Sequence, residues 1–174
     1  MAIACGGRLC FVGYVGMTES WRTRLWRWSF NWFPAYRGTG ARVIYIASDW
    51  TEVRIRLPLS RRTRNYVGTI FGGSMYGAVD PIYMMMLIQA LGPAYVIWDK
   101  AATIRFRRPG RETLYATFRI APEVMTDIRT EVAAKGKIER EFSVDLVNAA
   151  QEVHASCQKL LSIRRREETA SLAR

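Results

Sequence analysis

Apolar positions along the chain switch between helical and strand period, and the switches mark out its elements. Between Glu19 and Phe33 the spacing is helical: Trp21, Leu25, Trp28 and Trp32 are separated by four, three and four residues, while Arg22, Arg24 and Arg27 fall largely elsewhere on the wheel. Thr18 stands in the capping position for this helix. From Gly40 the period drops to two. Arg42 to Ile46 is a short β-branched run, and Val53, Ile55 and Leu57 alternate with Glu52, Arg54 and Arg56 up to Pro58, which predicts a first hairpin. Asn65 to Gly92 then reads NYVGTIFGGSMYGAVDPIYMMMLIQALG, apolar nearly all round. It closes on Gly92-Pro93, a stop signal because Gly accepts the left-handed conformation and Pro cannot continue a helix. This stretch predicts a largely buried helix over Thr69 to Leu91.

Strand signals occupy the rest. Tyr95 to Arg107 predicts a long strand containing Asp99 and Lys100, followed by a turn at Arg108-Pro109-Gly110. Leu114, Ala116, Phe118 and Ile120 alternate with Tyr115, Thr117 and Arg119; Pro122 to Gly136 reads as a short helical turn or loop. Ile138, Phe142, Val144 and Leu146 alternate again, Asn148 to Gln151 makes a turn, and Glu152 to Ile163 forms the last strand. Short connections imply antiparallel pairing. One-sided alternation needs a cover, and the apolar helix is large enough to supply it. The expected architecture is α+β, an antiparallel sheet of about six strands wrapped around a long central helix, with an N-terminal helix in addition. Residues 1–17 are expected to be a loose arm, 18–164 a single domain, and 165–174 a polar tail.

Charge narrows the partners only a little. Lys and Arg total 26 against 15 acids, a formal net charge of +11, which favours anionic partners in general. The arginines are spread through strands and both ends, whereas nucleic-acid binding prefers a concentrated stripe or a recognisable module. The Trp-rich basic helix could lie on a membrane surface; packing of its aromatic stripe across the domain or an interface is the preferred reading. Cys5, Cys10 and Cys157 have no metal-ligand spacing, so no metal is expected, and free thiols point to a reducing, cytoplasmic setting. Met1 to Gly16 carries four glycines and no basic region ahead of its apolar residues, which is weak support for a signal peptide.

The candidate chemistry sits on the apolar helix. Asp80 lies within its apolar run, and an ionised carboxylate there is costly unless paired, hydrogen-bonded or protonated. Gly72 and Gly73 would let another group approach the N–H donors at the positive end of the helix dipole, an oxyanion site with a carboxylate about two turns away. Asp followed by Pro is also how a helix begins, with Asp as N-cap and Pro at N1. Spacing leaves both readings open. A membrane span is disfavoured by Asp80, Pro81, Gln89 and the paired glycines.

Taken in order, Asn65, Phe71-Gly72-Gly73 and Asp80, then Thr103 to Gly110 with Thr113 to Ala116, and the closing Val144 to Asn148, resemble the hotdog-fold thioesterases, specifically the phenylacetyl-CoA thioesterase-like (PaaI-like) branch. The resemblance covers roughly Ala41 to Ile163. It implies that Asp80 acts as nucleophile or general base on an acyl-CoA thioester, that the Gly73 N–H polarises the carbonyl, and that Asn65 orients the carbonyl or a water. Gly72, Phe71 and Ser74 would border the bound substrate. It implies no cofactor beyond the CoA carried by the substrate, and a homodimer, or a tetramer, with sites between subunits. Two residues depart from the pattern: Phe71 stands where the family has His, and Pro81 follows the carboxylate. A non-catalytic acyl-CoA- or lipid-binding hotdog protein is therefore the alternative reading. Asp99 and Lys100 are read as salt-bridge residues, one of them able to reach the central cavity. His154 is read as an ordinary sheet residue, Met84 to Met86 as core, and the arginines from Arg105 to Arg111 as a solvated strand face open to an anionic CoA tail.

Overall fold

The alternating runs form one antiparallel sheet. In the computed structural model, which describes residues 18–166, the strands are β1 (Arg42–Ile46), β2 (Glu52–Leu57), β3 (Tyr95–Phe106), β4 (Leu114–Arg119), β5 (Lys137–Val147) and β6 (Val153–Arg165), in the order β1-β2-β4-β5-β6-β3. The expected arm 1–17 lies outside the described residues, as does the expected tail from 167 onward. Arg165 is not tail: it closes β6 opposite Tyr95. One parity of each strand turns inward, placing Ile55, Leu57, Leu114, Phe118, Leu146, Leu161 and Ile163 out of contact with water. β4 and β5 share the single pairing Tyr115↔Val147. Tyr83 fills the space where they diverge, edge-on to Phe118 and stacked on Phe142 at 5.1 and 4.8 Å. Burial pushes the Tyr83 hydroxyl up to about 12, so it remains the donor of a 2.7 Å bond to the Ser143 carbonyl.

The central helix comes in two segments, α3 (Gly72–Val79) and α4 (Ile82–Leu91). It starts three residues later than the pattern predicts, because the preceding amides are engaged elsewhere. The Thr69 N–H donates to Asn65 Oδ1, Ile70 N–H to the Gly110 carbonyl and Phe71 N–H to the Thr63 carbonyl. The break falls at Asp80-Pro81, and neither reading of Asp80 describes it fully. Asp80 keeps helical angles (φ −51°, ψ −56°) and donates its N–H to the Tyr76 carbonyl at 2.9 Å, so it ends α3 and does not cap α4. Pro81 has no N–H for the Gly77 carbonyl four residues back, which is the physical cause of the break. Gly92 ends α4 at φ +86°, as the stop signal requires.

Two further helices complete the domain. Pro122–Lys135 is a full helix, here α5, where a short turn or loop is expected; Pro122 at its first turn and Gly136 at φ +74° bound it. Met125, Ile128 and Val132 are its buried positions, a helical spacing diluted by Thr and charged neighbours. The N-terminal helix α1 (Trp21–Trp32) is followed by a short α2 (Pro34–Gly38). α1 is capped by Ser20, whose hydroxyl accepts from the Thr23 N–H, and not by Thr18.

Of the two packings expected for the α1 stripe, across the domain or across an interface, the structure excludes the first. Thr23, Trp26, Phe30 and Asn31 turn to the domain: Trp26 sits edge-on to Trp50 and Phe30 edge-on to Tyr36. The stripe of Trp21, Leu25, Trp28 and Trp32 points to solvent. Asn31 fixes the helix on β1, its amide donating to the Val43 carbonyl at 2.9 Å while its oxygen accepts from the Val43 N–H at 2.8 Å. Asn31→Ala removes both bonds and is expected to cost about 1–2 kcal/mol. Hydrogen exchange should show the loss confined to α1 and β1, and unchanged protection there would exclude this anchor.

Candidate functional site

The decisive side chain lies in β6, on the parity that should be apolar. Ala155, Cys157, Leu161 and Ile163 point into the core, and Lys159 occupies the inward position between Cys157 and Leu161 at 1% exposure. A lysine so placed must be paired, since an isolated buried ammonium is prohibitively costly. Its Nζ donates to Asp80 Oδ1 at 2.5 Å and lies 3.0 Å from Asp99 Oδ1. The second contact is an ion pair off the hydrogen-bond directions, and that Asp99 oxygen has no other partner. Tyr76, one turn before Asp80, places its ring 5.6 Å from the ammonium.

The two partners come from different elements. The Pro81 break ends α3 at Asp80, and the break faces a cavity. Asp99 shares the side of the buried Ile97 by strand alternation, just before a register shift in β3, and Lys100 points outward, where it donates to Glu139 at 2.6 Å. Both residues of the Asp99-Lys100 pair are thus in salt bridges, and Asp99 is the one that reaches the interior.

The charges are mutually dependent. Burial alone would lower the Lys159 pKa; the hydrogen bond to Asp80 and the close contact with Asp99, with the attraction of both carboxylates, outweigh it and raise it above the ordinary 10.5. Burial raises Asp99, Lys159 opposes the rise, and the neighbouring Asp80 charge adds to it. Tyr76 is raised first by burial and then by its hydrogen bond with Asp80. Cys157 is raised by burial, so its thiol has no thiolate character to offer.

Asp80 keeps 39% of its side chain accessible, and what it meets is a cavity of about 480 Å³. Trp26, Phe30 and Phe33 of the α1 end, Tyr36 of α2, and Met84 and Met85 of α4 form most of its wall, with Gly77, Asp80 and Pro81 at the helix break. The volume is in the range of small-ligand pockets, roughly 300–1,000 Å³, and the pattern of an apolar wall with one convergent charged group is typical of them. Gly77 matters here: a Cβ on it would come within 2.9 Å of Thr39 Cγ2, so its absence lets the segment after α2 close the cavity.

Of the other expected site residues, Asn65 and Gly72 lie in a second recess. Asn65, Gly72 and Met75 line it with Phe106 and the Arg107 to Gly110 turn. Asn65 is occupied in holding its own turn, donating to Thr69 Oγ1 at 2.8 Å and accepting from the Thr69 N–H. The Phe71 ring lies across the helix start, so that a Cβ on Gly73 would be 2.3 Å from Phe71 Cε1. Phe106 closes on Gly72 in the same manner, its ring 3.0 Å from where a Cβ would be. Ser74 is buried in the first turn of α3. Gly73 and Asp80 are seven residues apart on one helix, about 10 Å along its axis at 1.5 Å per residue. A single carbonyl cannot touch both within one chain. His154 is a structural residue: its Nδ1–H donates to the Pro109 carbonyl at 3.1 Å and its main-chain carbonyl accepts from Arg107 and Arg108.

Comparison with known proteins places this arrangement. A profile described as "Domain of unknown function (DUF4442)" matches residues 23–163. The chain belongs to the DUF4442 family. No curated protein matches it. Among solved structures this DUF4442 chain is similar to PA5026 of Pseudomonas aeruginosa, a protein of unknown function described as a probable thioesterase, at TM-score 0.74 and 23% identity over 87% of this chain and 99% of that one. It is similar to OLEI01261 of Chlorobaculum tepidum, also of unknown function, at TM-score 0.70 and 15% identity over 88% and 100%. A third is the thioesterase HI1161 of Haemophilus influenzae, at TM-score 0.64 and 11% identity over 88% and 98%. These likenesses establish the fold: the DUF4442 chain is an α+β hotdog, a six-stranded antiparallel sheet around a central helix, as its pattern and motifs imply.

Sequence reading missed Lys159 and Tyr76. The signal for Lys159 is present: within Ala155, Cys157, Lys159, Leu161 and Ile163 one charged residue interrupts the inward parity of the last strand, facing a helix that carries a carboxylate. Replacing it tests the pairing. A base whose pKa is raised by folding contributes its stabilisation in full below the unfolded value and loses it as pH climbs through the folded value. Lys159→Met is therefore expected to be about 1–3 kcal/mol less stable than the parent at neutral pH, below the roughly 3–5 kcal/mol of a fully buried pair because Asp80 can rehydrate. The gap should narrow only above pH 10.5, the ordinary lysine value that folding raises. Urea unfolding at neutral and alkaline pH measures both, and equal stability at neutral pH would show that the ammonium is dispensable.

Proposed function

We propose that this protein hydrolyses acyl-CoA-type thioesters, with Asp80 as the group that acts on the thioester or on its attacking water. The observation that carries this reading is the carboxylate itself: Lys159 holds it by one oxygen at the wall of an apolar cavity. The cavity is suited to an acyl chain, and the carboxylate stands where the chain would meet its thioester. As a base, Asp80 takes a proton from water while the water oxygen adds to the carbonyl carbon. An N–H donor stabilises the resulting oxyanion, the C–S bond breaks, and the proton leaves with the thiol. As a nucleophile, its oxygen adds to the carbonyl carbon and the C–S bond breaks, releasing the thiolate, which takes a proton from solvent; water then opens the mixed anhydride to the product acid and the free Asp80 carboxylate. The order of Asn65, Gly73 and Asp80 supports the phenylacetyl-CoA thioesterase-like branch.

The reading requires two chains. Because Gly73 and Asp80 of one helix cannot reach the same carbonyl, the oxyanion donor is the Gly73 N–H of a second copy, with Gly72, Phe71, Ser74 and Asn65 shaping that side. The twelve-residue edge strand β3 supports a homodimer: it ends the sheet order and exposes Trp98 at 66% and Phe106 at 57%. The exposed Arg105 and Arg111 near the second recess suit the phosphates of CoA, which the substrate supplies; no further cofactor is assigned. A cytoplasmic setting follows from the reduced-thiol reading of the cysteines.

One observation favours a second reading. The Phe71 ring against Gly73 stands in place of a polar histidine, and a protein that binds acyl-CoA or lipid without hydrolysing it would have the same cavity. Free-thiol release from a panel of short, long and aromatic acyl-CoAs separates the two. The parent is expected to turn over at least one of them, and Asp80→Asn to lower that turnover by about 100- to 10,000-fold. Saturable binding with no thiol release by the folded parent selects the binding protein, and full turnover by Asp80→Asn removes the assigned role of the carboxylate.

A further inference from the structure

We propose that the outward face of α1 docks on an anionic lipid bilayer, an inference that holds whether or not the chain hydrolyses thioesters. Trp21, Leu25, Trp28 and Trp32 are exposed at 75, 60, 61 and 57%, and Phe33 beside them at 61%. At 100° per residue the first four fall within about 60° of arc, with Arg22 next to them on one side and Arg24 on the other. The opposite side of the helix carries Thr23 and Phe30, which attach it to the domain. The polarity is the reverse of an ordinary surface helix: α1 grips the protein through a few small or edge-on contacts and offers its large apolar groups to the outside.

The chemistry of the face selects its occupant. Tryptophan and arginine are the residues of a membrane interface, where the indole sits among headgroups and the guanidinium meets lipid phosphate. α1 has no acidic residue, and the nearby Glu19 is already paired, at 2.7 Å with Arg27 and 3.5 Å with Arg24. Arg37 reinforces the positive rim, lying 4.9 Å over the Trp32 ring. A second copy packed on this face by a two-fold axis would bring more arginine against Arg22 with no acid free to answer it, since Glu19 is already shared by Arg24 and Arg27. An anionic bilayer answers all of them, and the chain's formal charge of +11 draws it there. Among the described residues no helix is long and apolar enough to cross a membrane, so α1 lies along the surface, about 18 Å of helix with its tryptophans at headgroup depth.

Docking in this pose has a geometric consequence. Trp26 and Ser29 line both the shallow groove along α1 and the cavity that holds Asp80. The mouth of that cavity then opens beside the lipid, where long acyl groups partition.

Flotation of the purified full chain with vesicles of phosphatidylcholine alone, and of phosphatidylcholine mixed with phosphatidylglycerol, tests the proposal. The parent is expected to float with the anionic vesicles at low salt and to bind them at least tenfold more weakly at high salt. Arg22→Ser with Arg24→Ser should weaken binding about fivefold per arginine. Leu25→Ser with Trp28→Ser should weaken it at least tenfold while leaving the melting temperature unchanged, because both side chains are exposed. Failure of the parent to float at low salt overturns the proposal. So does undiminished flotation of the variants, which would trace binding to charge elsewhere on the chain. Sedimentation supplies the third overturning outcome: a parent oligomer that Leu25→Ser with Trp28→Ser dissolves would mean that a second copy covers the face.

Discussion

A lysine inside the curve of the sheet is the constraint around which the rest is arranged. Lys159 is almost completely removed from water, and a buried ammonium is tolerable only if carboxylates come to it. Two do, from different elements. The helix breaks at Pro81, so that Asp80 ends α3 at the wall of the cavity, and Asp99 comes in from β3 beside a register shift. Together they turn one face of the central helix, otherwise plain packing, into a place where a fixed negative charge meets an apolar chamber.

The same pairing explains how Asp80 can be both buried in character and available. One oxygen is held by Lys159, which sets the orientation of the carboxylate and keeps an opposite charge beside it. A carboxylate held only by water would be mobile, and one enclosed on both oxygens would be unreactive. Asp99 shares the ammonium and is raised by burial and by the Asp80 charge, so it functions as the counterweight, balancing a cation that would otherwise be committed to Asp80 alone.

How much of this could be read from the sequence depends on the range of the interaction. The strands and the stop at Gly92 follow from local period and local stereochemistry, and they lie where the pattern places them. The Gly-Gly and Asp motif is likewise local, and the family's hotdog fold follows from its order. Of what escaped, three cases are instructive. α5 was hidden because Met125, Ile128 and Val132 are too sparse among polar neighbours to outweigh the expectation of a loop. Lys159 was hidden because its partner is 79 residues away, and a lone lysine in a strand resembles any solvent-facing lysine until the parity of its neighbours is read. The orientation of α1 was hidden because an apolar stripe announces that it will be covered without saying by what.

The rotation of α1 is physically informative. A stripe of Trp and Leu at helical spacing is ordinarily the buried face, and here the burial falls to Thr23, Trp26 and Phe30 instead. The contacts that set this rotation are visible: Asn31 bonds both polar groups of Val43 on β1, and Trp26 and Phe30 pack edge-on against Trp50 and Tyr36. Rotating α1 to bury Trp28 would leave the Val43 N–H and carbonyl without Asn31 and withdraw Phe30 from Tyr36, dismantling the roof of the Asp80 cavity. The arrangement therefore pairs exposed aromatic surface with a walled, open-mouthed cavity. The shape of the cavity and the outward position of the tryptophans are thus two consequences of one seating of the helix.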